Sequence, residues 1–481
     1  MSPARNGLVL GGARPLDGAG ASGRYELDPD DLSTHAAIVG MTGSGKTGLL
    51  MVLVEEALRA RVPVVMIDVK GDLPNLGLTF PNLTTEEFRP WIDEAAAARK
   101  GQTPDVFAAE TASTWRAWLA DWQLGPAEVK ALQSAIALRV LTPGTRAGEP
   151  LHVLSALERP SPLWATDEEA AREALSAAIS LLLRLIGRDP DPTKSRDHVV
   201  LSVFAERRLR AGEPADVERL LEDVREPPVD QLGAMPIAEF LPKRERTALA
   251  TALNTLLASP TFEAWRMGAP LDVEAWLSPR QDGRTPATII SVAHLDEDER
   301  ALVLGVVLEQ FLSWVRMQSG THHLRALLVF DEVFGFAPPH PANPATKRPL
   351  LSLMKQARAY GVGVVVATQN PMDLDYRILS NAGVWFVGRL QTDADRERVV
   401  EAMSSMPAQS GSAESSADDS AFEPALVTDT VKRLAPRWFV ARNVHRAPSV
   451  CLLQSRTTLS WLRGPMTRAD LKRLSGREEE G

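Results

Sequence analysis

The sequence predicts an α/β protein built around a mostly parallel sheet, and three observations carry that prediction. Val62–Val69, Leu327–Phe330 and Val362–Thr368 are apolar on both faces, which suits strands buried between helices rather than strands with one wet side. Between such runs the apolar residues fall at helical spacing, as in Asp296–Met317, where Val303, Val306, Val307, Phe311 and Trp314 share one side. Third, Gly40-Met41-Thr42-Gly43-Ser44-Gly45-Lys46-Thr47 fits G-x-x-x-x-G-K-[ST], and it sits between an apolar run, Ala36–Val39, and a helical stretch opening near Lys46. Strand, loop, helix is the order that this phosphate-binding pattern requires.

At 481 residues the chain is long for one compact core, so a large domain with insertions or several smaller ones is expected. Hydrophobic residues make up 44% and charged residues 24%, as in ordinary globular proteins, and the net charge of −9 gives no surface-wide attraction for nucleic acid. A single cysteine, Cys451, excludes an internal disulfide framework and a multi-cysteine zinc site. With no leader-like segment and no apolar run of membrane-spanning length, a cytoplasmic protein without membrane insertion is expected.

Residues 1–35 read as a short β segment, with Leu8–Leu10 and Tyr25–Leu27 as strands against the core. Residues 36–82 carry the phosphate loop and then the strand Val62–Val69, which ends in Asp68-Val69-Lys70-Gly71-Asp72. Charges at the carboxyl end of a parallel strand stand where open α/β sheets place ligands, which makes Asp68 a site candidate beside the alternative of solvated strand-end charges. Residues 83–285 read as a mainly helical insertion with a short strand near 138–141; Trp115, Trp118 and Trp122 are spaced for one buried face. Breaks are expected at Asp189-Pro190-Asp191-Pro192 and Pro227-Pro228. The α/β pattern resumes over 286–455, interrupted by a small, polar, acidic loop at 404–424. Residues 456–481 form a tail in which Arg456, Arg463, Arg468, Lys472 and Arg473 read as a solvated basic face.

The chemistry follows from the loop. Gly40, Met41, Thr42, Gly43, Ser44, Gly45, Lys46, Thr47 and Gly48 form the expected ATP-binding set, because glycines let successive N–H groups turn inward and the new helix offers its positive end to the same anion. Lys46 would reach the β- and γ-phosphates, and the Thr47 hydroxyl would take one position on Mg²⁺. Asp331 and Glu332 end the run Leu327–Phe330; Asp331 would hold Mg²⁺ largely through water, and Glu332 would polarise the water attacking the γ-phosphate. Gln369, at the tip of Val362–Thr368, carries an amide able to bond both that water and the phosphate.

The loop, Asp68–Asp72, Asp331-Glu332, and Gln356-Ala357-Arg358-Ala359-Tyr360-Gly361 ahead of Ala367-Thr368-Gln369-Asn370-Pro371 together resemble the HerA/FtsK superfamily of ring-forming P-loop ATPases, above all bacterial HerA-like helicase-domain proteins. The likeness spans about residues 30–80 and 285–455. It implies a RecA-like core and a homo-oligomeric, hexameric ring with ATP between subunits and an arginine supplied in trans. Arg358 is the expected finger and Arg389 its rival; a helix-end arginine serving the dipole is the plainer account of Arg358. The resemblance further implies a motor that translocates or unwinds double-stranded DNA. Alternatives are an ATP-dependent scaffold for a nuclease or other effector protein, and a secretion or conjugation coupling ATPase. HerA itself carries a β-barrel ahead of its ATPase core, for which this sequence leaves no room, so the barrel's roles do not transfer.

Overall fold

The computed structural model describes residues 7–17, 23–159, 161–405, 422–446 and 448–476. Most of the loop read at 404–424 lies outside the described residues. In chain order the strands are β1 Leu8–Arg14, β2 Gly23–Leu27, β3 Ala36–Val39, β4 Val64–Asp68, β5 Ile136–Pro143, β6 Glu149–His152, β7 Gln231–Leu232, β8 Met235–Pro236, β9 Ala269–Pro270, β10 Thr285–Ser291, β11 Ala326–Phe330, β12 Val362–Thr368, β13 Val384–Val387, β14 Trp438–Asn443 and β15 Val450–Ser455.

Thirteen of them form one sheet in the order β2-β1-β15-β14-β13-β3-β12-β11-β4-β10-β5-β6-β9. From β13 to β9 every neighbour is parallel, and β14, β15, β1 and β2 extend the sheet antiparallel. The fold is therefore mixed α/β with a large, mostly parallel central sheet. Alternation along the strands divides the core in two: Ala37, Val39, Val65, Ile67, Leu328 and Phe330 pack on one side, and Ala36, Ile38, Val64, Met66, Leu327 and Val329 on the other. The helix Lys46–Arg59 covers the second face, while Glu168–Leu185 and Glu297–Arg316 cover the first.

Residues 83–285 are mainly helical, and they also give strands to the central sheet. The short strand expected near 138–141 is longer and lies inside the central sheet, in parallel register with β10, and β6 and β9 continue the sheet to its edge. The tryptophan reading also needs correction. In Pro104–Ala120 the buried stripe is Ala108, Ala112, Trp115 and Leu119; Trp118 is 49% exposed, and Trp122 falls in the turn after the helix. At about 100° per residue, position 118 sits roughly 90° off the centre of that stripe, so spacing from Trp115 alone overstated the buried face.

The C-terminal segment corrects a second expectation. Arg456 is not solvated: it is 4% exposed and its guanidinium bonds Glu55 at 3.0 Å and Glu56 at 2.9 Å on the phosphate-loop helix. Glu55 also accepts from the Leu459 and Ser460 amides and the Ser460 hydroxyl, so a buried carboxylate is fully used. Beyond it Trp461 packs on Phe88, and the Met466 amide bonds Gly71 O at 2.9 Å. Arg456→Met is expected to lower the unfolding free energy by about 3 to 5 kcal/mol, because it leaves buried Glu55 without its cation and Glu56 with Arg59 alone. Urea denaturation measures it; a loss under about 1 kcal/mol would show that the remaining hydrogen bonds suffice.

Candidate functional site

The parallel strands end along one edge of the sheet, and that edge collects the site. β3 runs into the phosphate loop with β12 and β13 as its neighbours, while β11 and β4 follow beyond β12. Three backbone bonds tie the loop to those strand ends: Gly40 N–H to Thr368 O, Met41 N–H to Arg389 O, and Ser44 O accepting from Arg437 N–H. Gly45 adopts φ 96° as it enters the helix Lys46–Arg59, a left-handed conformation that glycine accepts without a Cβ clash. No side chain caps that helix, so its first-turn N–H groups keep an anion-binding arrangement. Above Gly43 and Gly48 there is open space.

Lys46 is buried, with its ammonium 3.3 Å from Met41 O. Burial holds its pKa below the usual lysine value, the Glu332 and Asp331 carboxylates oppose that shift, and Lys70 adds to it. Asp331, at the end of β11, is pushed up to about 7 by burial and by the Glu332 and Asp68 charges. Glu332 takes the left-handed φ of 52°, an arrangement costing about 1 to 2 kcal/mol, and its N–H bonds Asp331 Oδ1 at 3.0 Å. Its Oε1 is 2.6 Å from the Lys70 ammonium, and its buried Oε2 has no hydrogen-bond partner. Gln369 accepts from the Thr42 hydroxyl at 2.7 Å, which joins the tip of β12 to the phosphate loop.

These residues fit a hard dication. A buried Asp331 whose proton affinity the neighbouring carboxylates raise, an orphaned Glu332 oxygen and a half-buried Thr47 at the helix start are the surroundings that Mg²⁺ relieves. Among the described residues no group of three or more acidic, histidine or cysteine side chains has metal-binding geometry. An ion would thus rest on Thr47, nucleotide oxygens and waters, with Asp331 behind them.

A cavity of about 330 Å³ opens beside the loop, lined by Met41, Thr42, Phe334, Gln369, Leu390 and Thr392. A larger one, about 920 Å³, lies at the far end of the phosphate-loop helix beside Arg59 and Trp122, remote from this chemistry.

The two arginines separate. Arg389 is exposed at the end of β13, with its carbonyl on the loop itself. Arg358 is exposed ahead of β12, at the opposite edge of the sheet, where its charge acts on buried His35. A strand as long as β12 spans about 20 Å, so Arg358 stands away from the phosphate loop of its own chain. Asp68 is engaged locally, with one oxygen accepting the Gly71 and Leu73 amides and the other the Ser291 hydroxyl. Sequence reasoning misses two residues. Lys70 reads only as one charge in a strand-end group, and Arg437, packed over Gly45 with φ 67°, stands in a turn far downstream that carries no motif.

The family described as Helicase HerA, central domain, matches residues 16–94, which include the phosphate loop. Among solved structures, VirB4 of Thermoanaerobacter pseudethanolicus is similar over 94% of this chain and 96% of its own, with 16% identity and a TM-score of 0.52. The plasmid coupling protein TrwB in complex with ADP and Mg²⁺ aligns over 97% of this chain and 98% of its own, at 12% identity and a TM-score of 0.45. No curated protein matches the sequence. The VirB4 likeness shows a RecA-like fold along nearly the whole chain. That fold, with the HerA match across the phosphate-loop segment, makes this chain similar to the P-loop ATPases of the HerA/FtsK superfamily.

Proposed function

We propose that the chain is a Mg²⁺-dependent ATPase that works as a homo-oligomeric, six-membered ring and moves along or unwinds double-stranded DNA. The observation that carries the hydrolytic part is the gathering, on one sheet edge, of an uncapped phosphate loop, the Asp331-Glu332 pair and Gln369 hydrogen-bonded to Thr42. In this reading Lys46 and the loop amides hold the phosphates, Thr47 and Asp331 serve the ion, Glu332 takes the proton of the attacking water, and Gln369 senses the γ-phosphate. The ring and the DNA part rest on the superfamily.

The test is the steady-state ATPase rate with and without linear double-stranded DNA, across protein concentration and at two salt concentrations. A rate per subunit that rises with concentration, and with DNA more strongly at low salt, is the expected result. A rate that rises with concentration but ignores DNA would replace the motor with a ring that serves as a scaffold for a partner enzyme.

A further inference from the structure

Lys70 belongs to no part of the phosphate-binding pattern, yet its ammonium lies 2.6 Å from Oε1 of Glu332. Among the described residues this is the one side-chain hydrogen bond of either head group. The backbone under Lys70 is pinned: Asp68 accepts the Gly71 and Leu73 amides, Gly71 turns at φ 91°, and its carbonyl accepts from Met466. The Lys70 side chain, 45% exposed, is the movable partner; that of Glu332, 10% exposed on a left-handed backbone, is the fixed one.

A base must offer a carboxylate oxygen to the attacking water. In Glu332 one oxygen is taken by the ammonium and the other is buried without a partner. The Lys70 charge also acts on Lys46, Asp72 and Asp331, so any movement of Lys70 changes the field around them. We propose that Lys70 is a positioning residue whose ammonium occupies, in the resting subunit, a Glu332 oxygen that the attacking water would otherwise use, so that basal turnover is set by how often this ion pair opens. The inference rests on the reading of Glu332 as the base.

The full chain is tested as Lys70→Met, Lys70→Arg, Glu332→Gln and the Lys70→Met/Glu332→Gln double variant, measuring kcat and KM for ATP without DNA. A half-exposed pair is weak enough that losing it should raise basal kcat about two- to fivefold, with KM unchanged. Lys70→Arg, which keeps the charge, should follow the wild type, and both chains carrying Glu332→Gln should be inactive. If Glu332→Gln is inactive while Lys70→Met shows an unchanged or lower kcat, the latch is wrong and the base assignment stands. If Glu332→Gln turns over like the wild type, the base assignment falls and takes the latch with it.

Discussion

A chain carrying Arg358→Ala should bind ATP but turn it over about 10³- to 10⁵-fold more slowly, the range spanned by arginine fingers in phosphoryl transfer. Arg358 is exposed at the sheet edge opposite the phosphate loop, so any phosphate it reaches belongs to another copy. Complementation separates this from loss of a helix-end charge. Arg358→Ala and Lys46→Ala subunits, each inactive alone, should regain part of the activity when mixed, because some interfaces then pair an intact loop with an intact arginine. Mixed rings verified by mass that stay inactive would return the role to Arg389, which already stands beside its own loop.

Lys46→Ala should abolish turnover, by about 10² to 10³ or more, and with it the thermal stabilisation that ATP gives. Burial disfavours the ammonium in the empty site, so its removal should not lower the melting temperature of the nucleotide-free chain. The pair of readouts distinguishes a binding defect from misfolding. Undiminished hydrolysis would sink the phosphate-loop assignment, and a melting temperature several degrees lower without nucleotide would make Lys46 part of the fold's support.

Much of the fold is legible in the sequence because its central parallel strands are short, nearly all apolar and separated by helices. β12 coincides with the run Val362–Thr368 read from the sequence, and it lies beside β3. The residues proposed for the site are legible to the extent that they follow strands: Asp331, Glu332 and Gln369 stand just past one, and Lys46 opens the helix after the loop that follows β3. What escapes is whatever depends on partners remote in sequence. β5 reads as a short strand among helices because its sheet neighbour β10 comes far downstream. Arg456 reads as a solvated charge because the carboxylates that bury it sit 401 and 400 residues earlier. Lys70 could be singled out as the cation nearest a strand end beside an acidic strand end, but which acid it meets depends on the adjacency of β4 and β11.

The Arg456 cluster also bears on how the protein is made. Glu55 and Glu56 leave the ribosome about 400 residues before their cation does. Until then the phosphate-loop helix carries in Glu55 an acid that burial would penalise, while Glu56 has only Arg59, and β1 lacks β15, its antiparallel neighbour on that side. Contacts of such long separation form late and slowly. A nascent chain therefore holds the nucleotide-binding segment in an unfinished state until residues about 400 positions downstream emerge and close it.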